Sequence, residues 1–244
     1  MSILRKIDRV LARHINLKPF YINPNQAIVS FTFDDFPKSA ATTAADILLQ
    51  YNFSATYYCV GDFINTKQDN IEQYDIKDIE RLIHDGHEIA CHTSTHLNCQ
   101  SVPMKELTQN LNRNEKIISD LCGKKPTSFS YPFGITGLRS KFLAGRRFIT
   151  ARGISSGLNN NICDFSQLKA NKLYSGKTSL NEVQSLIKEA LNKKAWLIFY
   201  THDISKDPSS YGCTPQFFED VVRAVYESKC KVLPIKHAAA LFTE

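Results

Sequence analysis

Short continuous apolar runs alternate along the chain with stretches whose apolar positions recur every three to four residues. The first pattern reads as buried strand and the second as amphipathic helix. Strands are predicted over residues 27–33, 55–60, 88–92, 127–131, 196–201 and 231–234, with weaker ones over 147–152 and 172–174. Helices are predicted over 39–50, 76–84, 103–122, 138–144, 180–193 and 215–227. Asp85-Gly86 supplies a stop for the helix at 76–84, and Ser101 is the expected cap of the helix at 103–122, with Pro103 in its first turn. Residues 159–161 read as a loop. Strands alternating with helices imply parallel strands joined by crossovers. The expected class is therefore α/β, a distorted (β/α) barrel of about seven strands, with any active site at the C-terminal ends of those strands.

A chain of 244 residues fits one domain, 1–244, and can bury a large core without disulfide staples. Residues 1–20 form a basic extension. Within it, residues 1–15 read as an amphipathic helix, with Ile3, Ile7, Val10 and Leu11 on one face and Arg5, Lys6, Arg9 and Arg13 around it. Such a helix either touches a membrane surface peripherally or packs against the domain. The seven cysteines include no close pair, which argues against a disulfide framework and for a reducing compartment. No secretory leader and no spanning segment is evident, so the expected location is cytoplasmic, at the inner face of the membrane if the helix binds there. The net charge of +6 suits an anionic substrate or surface. No nucleic-acid motif accompanies it.

The chemistry-bearing residues cluster where strands are predicted to end. The first strand stops in Asp34-Asp35, two carboxylates that are either solvated in a turn or placed for function. The run Glu88-Ile89-Ala90-Cys91-His92 leads into Thr93-Ser94-Thr95-His96. Two imidazoles four residues apart converge on one ion where the turn is helical, and otherwise are two surface histidines. Cys91 alternates to the other face and reads as core. Asp35, His92 and His96 together make a two-histidine, one-carboxylate metal set with positions open for water and substrate. Asp34 is then placed to accept a proton as general base. The strand at 196–201 ends in His202-Asp203, and a histidine there is a natural acid for a leaving amine, or merely a residue at a strand end.

From about Ala27 to Pro234, these residues resemble the polysaccharide deacetylases of carbohydrate esterase family four, the NodB homology domain. Thr32-Phe33-Asp34-Asp35 is similar to the first family motif, which implies Asp34 as base and Asp35 as metal ligand. His92-Thr93-Ser94-Thr95-His96 is similar to the second, which supplies both histidine ligands. Tyr131-Pro132-Phe133-Gly134 resembles the third, a wall of the groove in which the backbone N–H of Phe133 would hold an oxyanion. Residues 197–202 resemble the last motif, with His202 as general acid. The resemblance implies a divalent metal, zinc before cobalt, manganese or nickel, and an N-acetylated amino sugar as substrate.

Two departures accompany it. The third motif usually opens with an arginine that orients the base, and Ser130 stands near that place. Arg152 is expected either to deliver a guanidinium from elsewhere or to be a surface residue. The acidic partner of the general-acid histidine has two candidates, Asp164 and Asp203. Residues 201–212 read as a rim loop whose Tyr211 either stacks on a sugar or packs locally. The expected role is N-deacetylation of a sugar nucleotide, a lipid-linked sugar or a polysaccharide during assembly of surface polysaccharide such as lipopolysaccharide O-antigen or capsule. The alternatives are a deformylase or non-sugar amidase of the same fold, a non-catalytic carbohydrate-binding protein, and a lipid-surface scaffold.

Overall fold

The computed structural model describes residues 3–243. Helix α1 (Ile3–His14) leads into β1 (Pro19–Ile22) and β2 (Ile28–Asp34). A π-turn at Ala40–Ala44 opens α2 (Ala45–Gln50), and β3 (Thr56–Cys59) follows. A small hairpin of β4 (Lys67–Gln68) and β5 (Ile71–Glu72) precedes α3 (Ile76–His84), β6 (Glu88–Cys91) and α4 (Met104–Cys122). Then come β7 (Ser128–Ser130), α5 (Leu138–Arg147), β8 (Thr150–Arg152), β9 (Asn161–Asp164) and β10 (Asn171–Lys172). The chain ends with α6 (Leu180–Lys193), β11 (Trp196–Thr201), α7 (Pro215–Glu227), β12 (Lys231–Val232) and α8 (Ile235–Thr243).

The main sheet is parallel throughout, in the order β10-β11-β2-β3-β6-β7-β8, with β12 also pairing with the start of β2. It curls into a barrel whose open side is bridged by one segment. Residues 165–168 hydrogen-bond to β8, and the same stretch runs on into β10 beside β11. The α/β barrel of about seven strands is therefore the observed architecture.

Period-two alternation sorts the strand residues into two layers. Val29, Phe31 and Phe33 face outward and pack with the surrounding helices, including Phe218, Val221 and Val222 of α7. Ile28, Trp196, Ile198 and Tyr200 face inward with Ile235, Ala238 and Ala239 of α8, which plugs the N-terminal end of the barrel. The polar members of the inner layer are paired rather than left bare. Trp196 Nε1 donates to Ser30 Oγ at 2.9 Å, and Thr56 Oγ1 donates to Glu88 Oε2 at 2.8 Å. Thr56 and Glu88 in turn accept the first amides of α8, from Ile235 at 2.8 Å and Lys236 at 2.9 Å. Those N–H groups have no partner inside the helix, so the barrel wall caps it.

Several predicted details change. Ser101 does not cap α4. Its hydroxyl donates to the Asn98 carbonyl at 3.0 Å in the preceding turn, and Pro103 takes the capping position without a side-chain bond. The weak strand at 147–152 begins only at Thr150, because α5 runs on to Arg147. The loop at 159–161 is interrupted at Asn161, where β9 starts and pairs antiparallel with β1. The helix predicted for 1–15 is present as α1; residues 1 and 2 lie outside the described residues. Among the described residues no helix is long and apolar enough to cross a membrane.

Burial of one histidine beside β6 predicts an acid sensitivity. His87 is buried, and its Nδ1 accepts the Ala55 amide at 3.0 Å. Burial pushes the imidazole down to about 4, outweighing the opposing pull of Asp85. The folded chain therefore resists protonation between pH 6.5 and 4, while the unfolded chain takes the proton up. Stability from this residue is complete above pH 6.5 and is lost on acidification towards pH 4, an imbalance on the order of 3 kcal/mol. Urea unfolding of the wild type and His87→Gln at pH 7 and 4.5 checks this: the wild type should lose more stability on acidification. Equal losses would remove His87 as the cause.

Candidate active site

Alternation along β2 points Asp34 into the barrel at its C-terminal mouth, and a backbone turn at Asp35, with φ 54°, swings the next carboxylate up over the opening. On β6, Cys91 faces outward into the core, as expected, where Asn114 Nδ2 lies 3.2 Å from its sulfur. His92 therefore faces in. Thr93 and His96 have φ of 66° and 52°, and this tight turn brings the second imidazole back over the first. The ring centroids are 5.2 Å apart.

The three predicted ligands converge. Asp35 Oδ1 lies 3.5 Å from His92 Nε2 and 3.4 Å from His96 Nε2, and one donor atom from each residue falls within 4.8 Å of the others. His92 Nδ1 lies 2.8 Å from the Ser130 carbonyl. That contact assigns the proton to Nδ1 and turns the Nε2 lone pair into the site. Burial pushes His92 down to about 3 and His96 to about 4, so both rings are neutral donors. Burial, and then the charge of Asp34, push the Asp35 carboxyl up to about 8. Asp35 Oδ1 is buried without a hydrogen-bond partner among the described residues. A buried oxygen without a donor, flanked by two neutral imidazole nitrogens, fits a divalent cation.

Asp34 is held in the opposite state. Burial would raise its pKa, but the Arg152 guanidinium, followed by His92 and His202, brings it down to about 2. Arg152 Nη2 donates to Asp34 Oδ1, and Nη1 donates to the Gly153 carbonyl at 2.9 Å. The guanidinium sits between the rings of Tyr58 and Tyr200, 5.0 and 5.1 Å from their centroids. It is 1% exposed, which removes the surface reading of Arg152. Ser130, at the place where an arginine was expected, joins the two halves of the site. Its hydroxyl donates to Asp34 Oδ1 at 3.3 Å and lies 2.5 Å from His92 Nδ1.

His202 caps β11 with Nε2 4.0 Å from Asp35 Oδ2. Burial lowers its pKa, with the Asp34 charge opposing. Nδ1 is buried without a hydrogen-bond partner among the described residues. Neither candidate acid hydrogen-bonds to it among the described residues, and only the charge of Asp203 reaches it. Asp164 is turned away, bound to Lys141 Nζ at 2.7 Å and to the amides of Leu17 and Lys18 at 3.0 and 3.1 Å. The Asp203 carboxylate folds back on Ser209, accepting from its amide at 2.8 Å and its hydroxyl at 2.5 Å. Both acids hold loops in place.

The mouth of the barrel is a cleft of about 450 Å³ lined by Asp34, Asp35, His92, His96, Tyr200 and His202, with Arg152 and Ser130 behind its wall. Phe133, at φ 60° in the turn after β7, is exposed and places its ring 4.3 Å from that of His96. Tyr174 and the exposed Tyr211 meet edge to face on the opposite wall, at 5.8 Å. Gln68 and Asp69 reach the cleft from the β4–β5 hairpin. Tyr200, Ser130 and the hairpin were not among the predicted site residues. Tyr200 carries a signal, since alternation from Trp196 and Ile198 turns it inward. The hairpin's signal is the Asp69-Asn70 pair, both left-handed at φ 49° and 65°.

A sequence profile described as polysaccharide deacetylase matches residues 22–144. A peptidoglycan-N-acetylglucosamine deacetylase of Bacillus cereus is 32% identical over 111 residues, which cover 45% of this chain and 38% of that protein. The peptidoglycan-N-acetylmuramic acid deacetylase PdaC of Bacillus subtilis is 29% identical over 114 residues, 46% of this chain and 23% of that one. The chain thus spans well under half the length of these relatives. Among solved structures, a family 4 acetyl xylan esterase from Clostridium thermocellum in complex with a cobalt ion superposes with a TM-score of 0.60 at 18% identity, covering 88% of this chain and 91% of that one.

Proposed function

Since the chain belongs to the polysaccharide deacetylase family, we propose that it is a metal-dependent hydrolase that removes the N-acetyl group from an amino sugar. The observation that carries this reading is the pairing of a three-donor cation set with a separate carboxylate held ionised beside it. Asp35, His92 and His96 would hold the cation, zinc being the first candidate and cobalt, manganese or nickel the others. Once bound, it supplies Lewis acidity that polarises the amide carbonyl and makes water more acidic.

The remaining steps belong to the chain. Asp34 has one oxygen engaged by Arg152 and Ser130, which fixes the carboxylate and leaves the second oxygen to accept a proton from the attacking water. Water oxygen bonds to the acetyl carbon as the carbonyl electron pair moves to oxygen, and the return of that pair then breaks the carbon–nitrogen bond. His202, across the cleft from Asp34, acts in its imidazolium form, which the Asp34 charge favours against burial, and protonates the departing amine, giving acetate and a free amino sugar. The backbone N–H of Phe133 stabilises the developing oxyanion. Phe133, Tyr174 and Tyr211 form apolar walls suited to the face of a sugar ring.

The substrate belongs to the same proposal: an acetylated sugar nucleotide, lipid-linked sugar or polysaccharide in surface polysaccharide assembly, handled at the cytoplasmic face of a membrane. The seven unpaired cysteines support a reducing compartment.

Acetate release is the test, with acetylated sugar nucleotides and chitin oligomers as substrates. Activity should vanish with a chelator and return with zinc, cobalt or manganese. Release that ignores the chelator sinks the metal-dependent reading. Formate instead of acetate, or no release from protein that holds its metal, favours another amide or a binding role.

A further inference from the structure

Helix α1 is docked with its amphipathicity reversed. A terminal helix that merely completes a domain buries its apolar stripe. Here Ile3, Leu4, Ile7, Val10 and Leu11 are 43–78% exposed, and Ala12 alone is buried. The polar side makes the attachment. Asp8 accepts the Leu138 amide at 3.0 Å and Gln100 Nε2 at 2.8 Å, at the start of α5. Gly137 leaves the room for it, because a Cβ there would stand 2.2 Å from Asp8 Oδ2. At the other end Lys141, itself fully buried, donates to the carbonyls of Ala12 at 2.5 Å and Ile15 at 2.8 Å. These contacts fix which side of the helix faces water.

Charge and position narrow what covers that side. The helix carries four basic residues and a single acid, and that acid is consumed in docking. Lys6 and Arg13 are exposed along one border of the apolar face. An apolar face edged by cations matches a surface that is apolar inside and anionic at its boundary. The loops that hold α1 are also those of the cleft: Gln100 follows His96 on one, and Gly137 follows Phe133 on the other.

We propose that α1 is an interfacial helix that inserts Ile3, Leu4, Ile7 and Leu11 into an anionic lipid surface and seats this rim of the barrel on it. The cleft then opens beside the membrane, which suits an acetylated sugar carried on a lipid. That last point alone rests on the deacetylase reading, and lipid binding is read without any turnover.

The test uses the full chain with sedimenting vesicles of phosphatidylethanolamine and phosphatidylglycerol, and with phosphatidylcholine alone. The wild type should bind the anionic vesicles at least tenfold more tightly than the neutral ones. An Ile7→Glu/Leu11→Glu variant, and separately Lys6→Glu/Arg13→Glu, should each lose at least tenfold. Their thermal melts and their activity on a soluble acetylated oligosaccharide should stay unchanged. Absence of wild-type binding to anionic vesicles overturns the proposal, as does undiminished binding by the variants. A wild-type dimer that Ile7→Glu/Leu11→Glu dissolves, with no vesicle binding, overturns it in favour of a second copy of the chain.

Discussion

Asp34→Asn is expected to slow acetate release by about 10²–10⁴-fold, the usual range for loss of a positioned acid–base group. The substitution keeps the shape and removes the charge. Asparagine still accepts from Ser130 and Arg152, but it cannot take a proton from water. Metal content, read by elemental analysis of the purified variant, should match the wild type, because Asp35 and the two imidazoles supply the donors. The loss should therefore fall on kcat at saturating metal. Comparable turnover in the variant would dismiss Asp34 as base, and loss of metal with loss of turnover would make it a ligand. The variant also leaves the Arg152 cation buried without its counter-charge. Rates should be compared at a temperature where a circular dichroism melt shows the variant folded.

The largest stability effect is expected from the other half of that pair. Arg152→Met removes a fully buried cation and strands a fully buried carboxylate. Breaking such a pair from one side costs about 3–5 kcal/mol. In a chain of this size that corresponds to a fall in Tm of roughly 6–20 °C. The pH dependence should reverse as well. In the wild type the Asp34 pKa is about 2, below its ordinary value of 3.8, so the ionised group stabilises the fold above pH 3.8 and the contribution is lost as pH falls through 2. Without Arg152, burial leads and lifts that pKa above its ordinary value. The ionised group then destabilises the fold at neutral pH, and acidification relieves it. Urea unfolding at pH 7 and pH 5 should show the gap between wild type and variant narrowing at the lower pH. In Asp34→Asn/Arg152→Met the stability should partly recover, since the two changes act on one interaction. Strict additivity would mean that the two side chains are not energetically coupled.

What the sequence disclosed follows the range of the forces involved. Helices α3, α6 and α7 and strand β11 are legible to the residue, because helical apolar spacing, the Asp85-Gly86 stop after α3 and the apolar run at 196–201 are local signals. Strands β1 and β9 were missed for the opposite reason. They are short, largely exposed and exist by pairing with each other across a long loop of chain. Helix α8 was hidden behind Pro234, which closes β12 and opens the helix, and by a sequence apolar on nearly all sides. At the site, Asp34-Asp35 and the two histidines announce themselves by standing after apolar runs. The division of labour between the two carboxylates does not, because it depends on Arg152 arriving across three intervening strands of the sheet. The choice between Asp164 and Asp203 failed on the same ground. Their partners, Lys141 and Ser209, are set by the course of loops that local patterns do not encode.

The left-handed residues at the mouth of the barrel bear on how this protein can evolve. Aspartate and histidine tolerate that backbone shape at Asp35 and His96, but the β-branched Thr93 and the bulky Phe133 adopt it at a cost of about 1–3 kcal/mol each. Glycine at either of these two positions would relax the backbone and let the groups it aims drift. Unguided selection for heat tolerance in this scaffold would therefore drift towards glycine at the positions that aim its donors, and would yield a sturdier barrel with a slack mouth. A hardened variant has to draw its added stability from the outer helices and leave the turns after β6 and β7 under tension.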